Sequence, residues 1–171
     1  GYLSKVLPPL LETLRMSLLG TAAGAVLALP LTGLCSRRAS GHPHMAAVLR
    51  SIIHLLRAIP VLVVALLCSF VWGTGSFAGA FAIALYSLGL LARMGWEAVE
   101  HGDLRSMEAL CAAGCGRWRA FWRACLPQVL PGYLADVLYV LEANVRHAAI
   151  LGYVGAGGLG ILLNEKIAWR E

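Results

Sequence analysis

The chain has 171 residues, of which 59% are hydrophobic and only 13% charged, with a mean hydropathy of +0.74. Soluble domains carry roughly 25% charge, so this composition excludes a soluble globular protein and defines an integral membrane protein built of helices. A helical span consumes about 20 residues, so the length provides about four to six spans with short loops and no separate soluble domain.

In chain order, the sequence opens on Gly1 rather than Met, with no signal peptide before Tyr2, and is expected to be a fragment at both ends. Residues 1–11 carry Lys5 and the Pro8–Pro9 pair and read as an entry segment, because proline cannot continue a helix backwards. The first span is expected over residues 12–34, with its charges confined to the first turn. Ser17, Gly20, Thr21, Gly24 and Ala28 form a small-residue ladder containing a GxxxG pair, which permits close approach of a neighbouring helix.

Arg37, Arg38 and Arg50, with His42 and His44 between them and no acidic residue, make the following loop basic and therefore cytoplasmic. His42-x-His44 lacks further ligands at a metal-binding spacing. The second span is expected over residues 51–72, kinked at Pro60 and carrying Arg57, which lies close enough to the cytoplasmic end to snorkel. A short uncharged turn at residues 73–76 leads to a third span over residues 77–94. Two crossings after a cytoplasmic loop return the chain to the cytoplasm, so Arg93 to Pro127 form a cytoplasmic segment that contains the loop 95–127. Its mixture of Arg93, Arg105, Arg117, Arg119 and Arg123 with Glu97, Glu100, Asp103 and Glu108 fits a docking surface better than a polybasic lipid patch.

Within that loop Met107, Cys111, Gly114, Trp118, Phe121, Trp122 and Cys125 recur at helical spacing, with Arg105, Arg119 and Arg123 opposite. Gly114 and Gly116 interrupt the pattern, so the expectation is two short helices at a glycine turn, the second stopped by Leu126-Pro127. Two readings stay open: an amphipathic helix on lipid headgroups, or a projecting element that fits a partner's groove. The cysteines Cys35, Cys68, Cys111, Cys115 and Cys125 form no CxxC pair or extracellular framework and read as small buried side chains.

Glu108-Ala109-Leu110, three residues, Gly114, nine residues and Ala124-x-Leu126-Pro127 resemble the EAA loop of bacterial ABC-importer permeases. The spacing is kept; Leu110 stands for the second alanine and Ala124 for isoleucine. Leu56–Val63, Ser87–Leu91, Leu126–Gly132, Glu142–Arg146 and Leu151–Gly160 are further similar to phosphonate-type permeases. The resemblance implies an all-α, polytopic membrane subunit, one transmembrane domain over residues 1–171, whose loop 95–127 is a helix-turn-helix coupling element. Glu108, Ala109, Gly114, Arg117, Arg119, Leu126 and Pro127 would couple it to a partner ATPase that holds ATP and Mg. It further implies an external substrate-binding protein, a second permease copy, membrane lipid around the spans and a place in the bacterial inner membrane. Relative to that family the chain is expected to lack a first and a last helix.

The fourth span, residues 131–152, places Asp136, Tyr139, Glu142, Ala143, Arg146 and His147 along one broad face. Glu142 precedes Arg146 by four residues, the favourable order for an intrahelical pair. The alternative is that Arg146, with Asn144, His147 and Arg57, lines a passage for an oxyanion, since charges at membrane depth mark bundle interiors or aqueous paths and guanidinium matches such oxygens bidentately. Gly155–Gly160 satisfies GxGxxG without a strand before it, so a tight external segment over residues 152–163 is expected rather than a dinucleotide site. No Walker sequence, catalytic constellation, cofactor site or metal site stands out, and the basic surplus sits in loops, which argues against nucleic acid. The expected function is translocation of phosphonate or a related phosphorus oxyanion. The alternatives are a permease for methionine or another small nutrient, and a non-transporting membrane scaffold.

Overall fold

The computed structural model describes residues 2–73 and 75–151. Among the described residues every regular element is helical. A long α1 (Tyr2–Cys35) is followed by a four-residue α2 (Arg37–Ser40), α3 (Pro43–Ala58), α4 (Val61–Trp72) and α5 (Ser76–His101). Two short helices, α6 (Arg105–Ala112) and α7 (Arg117–Ala120), then lead through a π-helical turn (Phe121–Cys125) into α8 (Leu126–Leu151). Leu7–Cys35, Ser76–His101 and Arg117–Leu151 are each long and apolar enough to cross a membrane, and α3 with α4 makes a fourth crossing if the pair counts as one broken span.

The core is the apposition of α1 and α5, and the small-residue ladder is what permits it. A Cβ added at Gly24 would lie 2.6 Å from Ser87 Cβ and 2.7 Å from the Ala84 carbonyl oxygen. One at Gly20 would lie 2.7 Å from Ile83 Cγ2 and 2.8 Å from the Ala80 oxygen. Backbone therefore meets backbone, the arrangement that small residues at four-residue spacing favour where hydrophobicity cannot drive helices together. Ser17, Thr21 and Ala28, the rest of the ladder, are buried. The two hydroxyls donate back to carbonyls of their own helix, Ser17 Oγ to Leu14 and Thr21 Oγ1 to Ser17, and so spend no unpaired polar group on the contact.

Three features depart from the sequence reading. α1 does not begin after Pro8–Pro9 but runs through both prolines. They sit in the second turn, where the hydrogen bonds forgone are those to the carbonyls of residues 4 and 5, at the frayed end of the helix. At Pro60 the chain breaks instead of kinking: α3 and α4 meet at 85°. Ile59 is extended there (φ −83°, ψ 123°), the conformation a following proline imposes, and Pro60 caps α4 by accepting from Val63 N and Val64 N.

The third departure lies at Leu126-Pro127, where a stop is expected and the structure has none. The helical path continues from Arg117 to Leu151, because the turn before the proline widens to a π register and Leu126 N donates to Phe121 O. Widening the ladder just ahead of a residue with no N–H lets the backbone pass the pyrrolidine ring without losing the helix direction. Loop 95–127 accordingly opens with the last turns of α5 and closes in the first turns leading into α8. The glycine-rich residues 152–163 lie outside the described residues.

Replacing Gly24 by Val should force α1 and α5 apart, lowering stability by about 1–3 kcal/mol, the usual range for overpacking. Gly75 has nothing within 4 Å of a built Cβ and an extended φ of 163°, so Gly75→Ala should be neutral. Unfolding of both variants in mixed detergent micelles tests the pair; equal midpoints would show that the α1–α5 approach tolerates a side chain.

Candidate functional site: the cytoplasmic hairpin and the polar face of the bundle

Two groups of polar residues stand out, one at the loop end of the bundle and one within it. At the loop end Glu100, in the last turn of α5, gathers the basic loop. Arg50 pairs with its carboxylate, Arg37 N donates to the same Oε1 at 3.1 Å, and Arg38 Nη1 donates to the Glu100 carbonyl at 3.1 Å. Arg50 also donates from Nε to Cys35 O at 2.7 Å and lies over the Trp96 ring, 5.3 Å from its centroid. His54 meets that ring edge-on. Arg37, Arg38 and Arg50 are therefore at the same end of the molecule as the hairpin that follows α5, in keeping with a cytoplasmic side for both.

The hairpin packs onto this base. Val99, Leu104, Met107, Ala120, Phe121 and Cys125 are buried with Ala39 in one apolar cluster. α6 ends in a Schellman turn: Gly114, at φ +88°, donates to Cys111 O and Cys115 N donates to Leu110 O. Arg38 reaches Glu108 at 3.9 Å, and Arg117 Nη1 donates to Arg38 O at 3.1 Å with its stem laid over Gly41. Gln128 of α8 donates to Ser106 of α6. The hairpin is thus tied to α2, α5 and α8 together and can move only with them.

The expected coupling residues separate on this geometry. Glu108 is largely exposed on α6, Ala109 lies beside it, and Gly114 sits at the turn. Arg117 is exposed and reaches α2 through its bond to the Arg38 carbonyl. Arg119 points outward, with no ion-pair or hydrogen-bond partner among the described residues. Leu126 and Pro127 lie past the π turn, at the start of α8.

Within the bundle, Asn144 is fully buried and donates to Thr21 Oγ1 of α1 at 2.8 Å and to Ser87 Oγ of α5 at 2.6 Å. One turn away His147 meets Tyr86 edge-on at 5.1 Å. Tyr133 OH donates to Ala25 O at 2.7 Å, a second tie between α8 and α1. Arg57 lays its Cγ against Gly89, three residues along α5 from Tyr86, so Arg57 and His147 flank neighbouring turns of the same helix. Glu142 and Arg146 form the expected i,i+4 pair at 2.7 Å, but their side chains are 70% and 71% exposed. Of the expected pathway residues the structure thus sets Arg57 against Gly89 and His147 against Tyr86 of α5, gives Asn144 an interhelical tie, and sets Glu142 and Arg146 on the open face of α8.

Glu100 was not singled out by the sequence as a site. The available signal was a stretch with three arginines and no acid, which needs a carboxylate from another helix end.

A bundle of long apolar helices with a helical hairpin clamped to one end has the architecture of a polytopic membrane protein. Residues 39–170 match the family of binding-protein-dependent transport system inner membrane components, and the chain belongs to that family. It is 38% identical over 156 residues to the phosphate-import permease protein PhnE of Mycolicibacterium smegmatis, covering 91% of this chain and 29% of that protein. It is 36% identical over 163 residues to the phosphite transport system permease protein PtxC of Stutzerimonas stutzeri, covering 95% of this chain and 59% of that one. The chain therefore spans less than two thirds of the length of either relative. Its fold is similar to a chain of the inward-facing MetNI methionine ABC transporter, with a TM-score of 0.80, 25% identity and coverage of 92% of this chain and 77% of that one.

Glu100→Gln should cost about 1.5–3 kcal/mol, the range for hydrogen bonds to a charged group, and should expose the hairpin to protease. Glu108→Gln, at an exposed position 3.9 Å from its partner, should stay within about 0.5 kcal/mol. Limited proteolysis beside chemical unfolding checks both; indistinguishable behaviour of the two variants would remove Glu100 as the anchor.

Proposed function

We propose that this chain is the membrane-spanning part of an ABC importer for a phosphorus oxyanion, working as two copies with a partner ATPase and an external binding protein. The observation that carries the reading is the Glu142–Arg146 pair. It lies on a membrane-crossing helix, 70% and 71% exposed, and charge at that depth is costly against lipid even when paired. The face therefore needs protein or water over it, as a second copy about a central passage provides. The same guanidinium offers the bidentate donors a tetrahedral oxyanion uses. Arg57 and His147 line the passage from the α5 side, and Asn144 holds α8 in register rather than meeting solute. Substrate class follows from relatives named for phosphate and phosphite transport at 38% and 36% identity. Methionine is the second reading, favoured by the likeness in fold at 25% identity.

In the coupling step, closure of the ATPase dimer pushes Glu108, Ala109 and the Gly114 turn. The ties through Arg38, Arg117 and Glu100 pass that push to α2 and α5, while the unbroken path through Leu126 and Pro127 passes it to α8. ATP and Mg stay on the partner chain.

Substrate-stimulated ATP hydrolysis by the complete importer in liposomes, with phosphonates, phosphite, phosphate and methionine in turn, tests the substrate. Stimulation by methionine alone would replace the oxyanion reading. Arg146→Gln should lower oxyanion transport roughly tenfold or more, about 1.4 kcal/mol per decade, and Glu142→Gln/Arg146→Gln should not restore it. Recovery in the double variant would mean that Arg146 only neutralises Glu142. Gly114→Val, placing a β-branched residue at φ +88°, should weaken ATPase co-purification, since that backbone region is strained for such residues.

A further inference from the structure

The two halves of the hairpin present different chemistry. α6 carries Glu108 and Arg105 together, a mixed surface. From Ala109 to Ala135 the sequence has no acidic residue, while Arg117, Arg119 and Arg123 supply positive charge. Arg117 is spent on the Arg38 carbonyl. Arg119 and Arg123 have no hydrogen-bond or ion-pair partner among the described residues.

The orientation of this stretch is fixed by what it buries. Ala120, Phe121 and Cys125 face the apolar base, and a Cβ on Gly33 of α1 would meet the Phe121 ring at 2.8 Å. That leaves Trp118, Arg119, Trp122 and Arg123 outward, with Trp118 45% and Trp122 38% exposed. Trp118 stacks on Phe121 and meets Trp122 edge-on, so both indoles are held rather than free to fold away.

Position supplies the second line of argument. The continuous path Arg117–Leu151 has 35 residues and is about 52 Å long at 1.5 Å per residue. Hydrocarbon and headgroup layers together measure about 40–45 Å. With the Leu151 end at the far surface, Trp122 lies about 44 Å and Trp118 about 50 Å along this path, so Trp122 and Arg123 reach the near edge of the headgroup layer and Trp118 and Arg119 stand just outside it. Tryptophan and arginine side by side at that depth are what an interface of amphipathic, negatively charged lipid selects.

We propose that the outer face of α7 and the π turn, formed by Trp118, Arg119, Trp122 and Arg123, docks acidic phospholipid headgroups of the cytoplasmic leaflet. The two guanidinium groups take the phosphates, with the indoles beside them at the headgroup edge. The hairpin is then held between lipid on its α7 side and protein on its α6 side. This assignment does not depend on what solute is carried.

The test uses the full-length permease with its ATPase in nanodiscs, built with phosphatidylglycerol or phosphatidylcholine brominated high on the acyl chain. The tryptophan emission that Trp118→Phe/Trp122→Phe removes is the signal of interest. It should be quenched at least twofold more by the brominated phosphatidylglycerol, and the preference should fade as salt rises. Arg119→Gln/Arg123→Gln should abolish the preference, whereas Arg119→Lys/Arg123→Lys, which keeps the charge, should retain it and so separates lipid docking from misfolding. Equal quenching by the two lipids in the unaltered protein overturns the proposal. Quenching that is present for the permease alone and lost in complex with the ATPase also overturns it, because the face then docks protein.

Discussion

The structure depends first on two helices meeting without side chains between them. Gly20 and Gly24 leave α1 flat where α5 crosses, and the approach is close enough that any Cβ would collide with main chain. Its consequences reach beyond the pair. Thr21, in the next position of the ladder, and Ser87, against Gly24, come within reach of one amide, and Asn144 of α8 donates to both. A third helix is thereby registered by a group that is buried because the first two are close. Such interhelical bonds in membranes average only about 0.6 kcal/mol each, so they specify position more than they supply stability. Van der Waals contact along the glycine face supplies the stability.

The loop end follows a different rule. Charges there are close to water, and the arginines of the basic loop would repel one another if left unpaired. Glu100 resolves this by accepting from two elements while its own main-chain carbonyl accepts from Arg38. Because Glu100 belongs to α5, the charge cluster is anchored to the same helix that carries the glycine contact. Packing within the bundle and electrostatics at its end thus meet on one element, which makes α5 the spine through which a displacement of the hairpin reaches the rest.

Legibility in the sequence varied with how local the cause is. The ladder from Ser17 to Ala28 could be read because GxxxG states its own geometry, and the Glu142–Arg146 pair because an i,i+4 spacing does the same. The turn at Gly114 was visible from glycine alone. The break at Pro60 and the continuity at Pro127 were not, although both hinge on proline. At Pro60 the preceding residue takes the extended conformation that proline favours, and the helix ends. At Pro127 the preceding turn widens instead, and the helix continues. Tertiary packing distinguishes the two: Phe121 lies against Gly33 of α1, and Phe121 and Cys125 are buried in one apolar cluster with Val99 of α5. The Glu100 cluster was hidden for the same reason, since its partners lie 50 to 63 residues away in sequence.

These ties also decide how motion can travel. A hairpin joined to the bundle by flexible loops would absorb a push locally. Here α6 is bound to α8 by Gln128, α7 to α2 by Arg117, and the π turn runs into α8 without a break. Each connection is short, and an apolar cluster lies beneath them. The hairpin is thus joined both to α8, where Glu142 and Arg146 occupy the exposed face, and to α5, against which Arg57 and His147 lie.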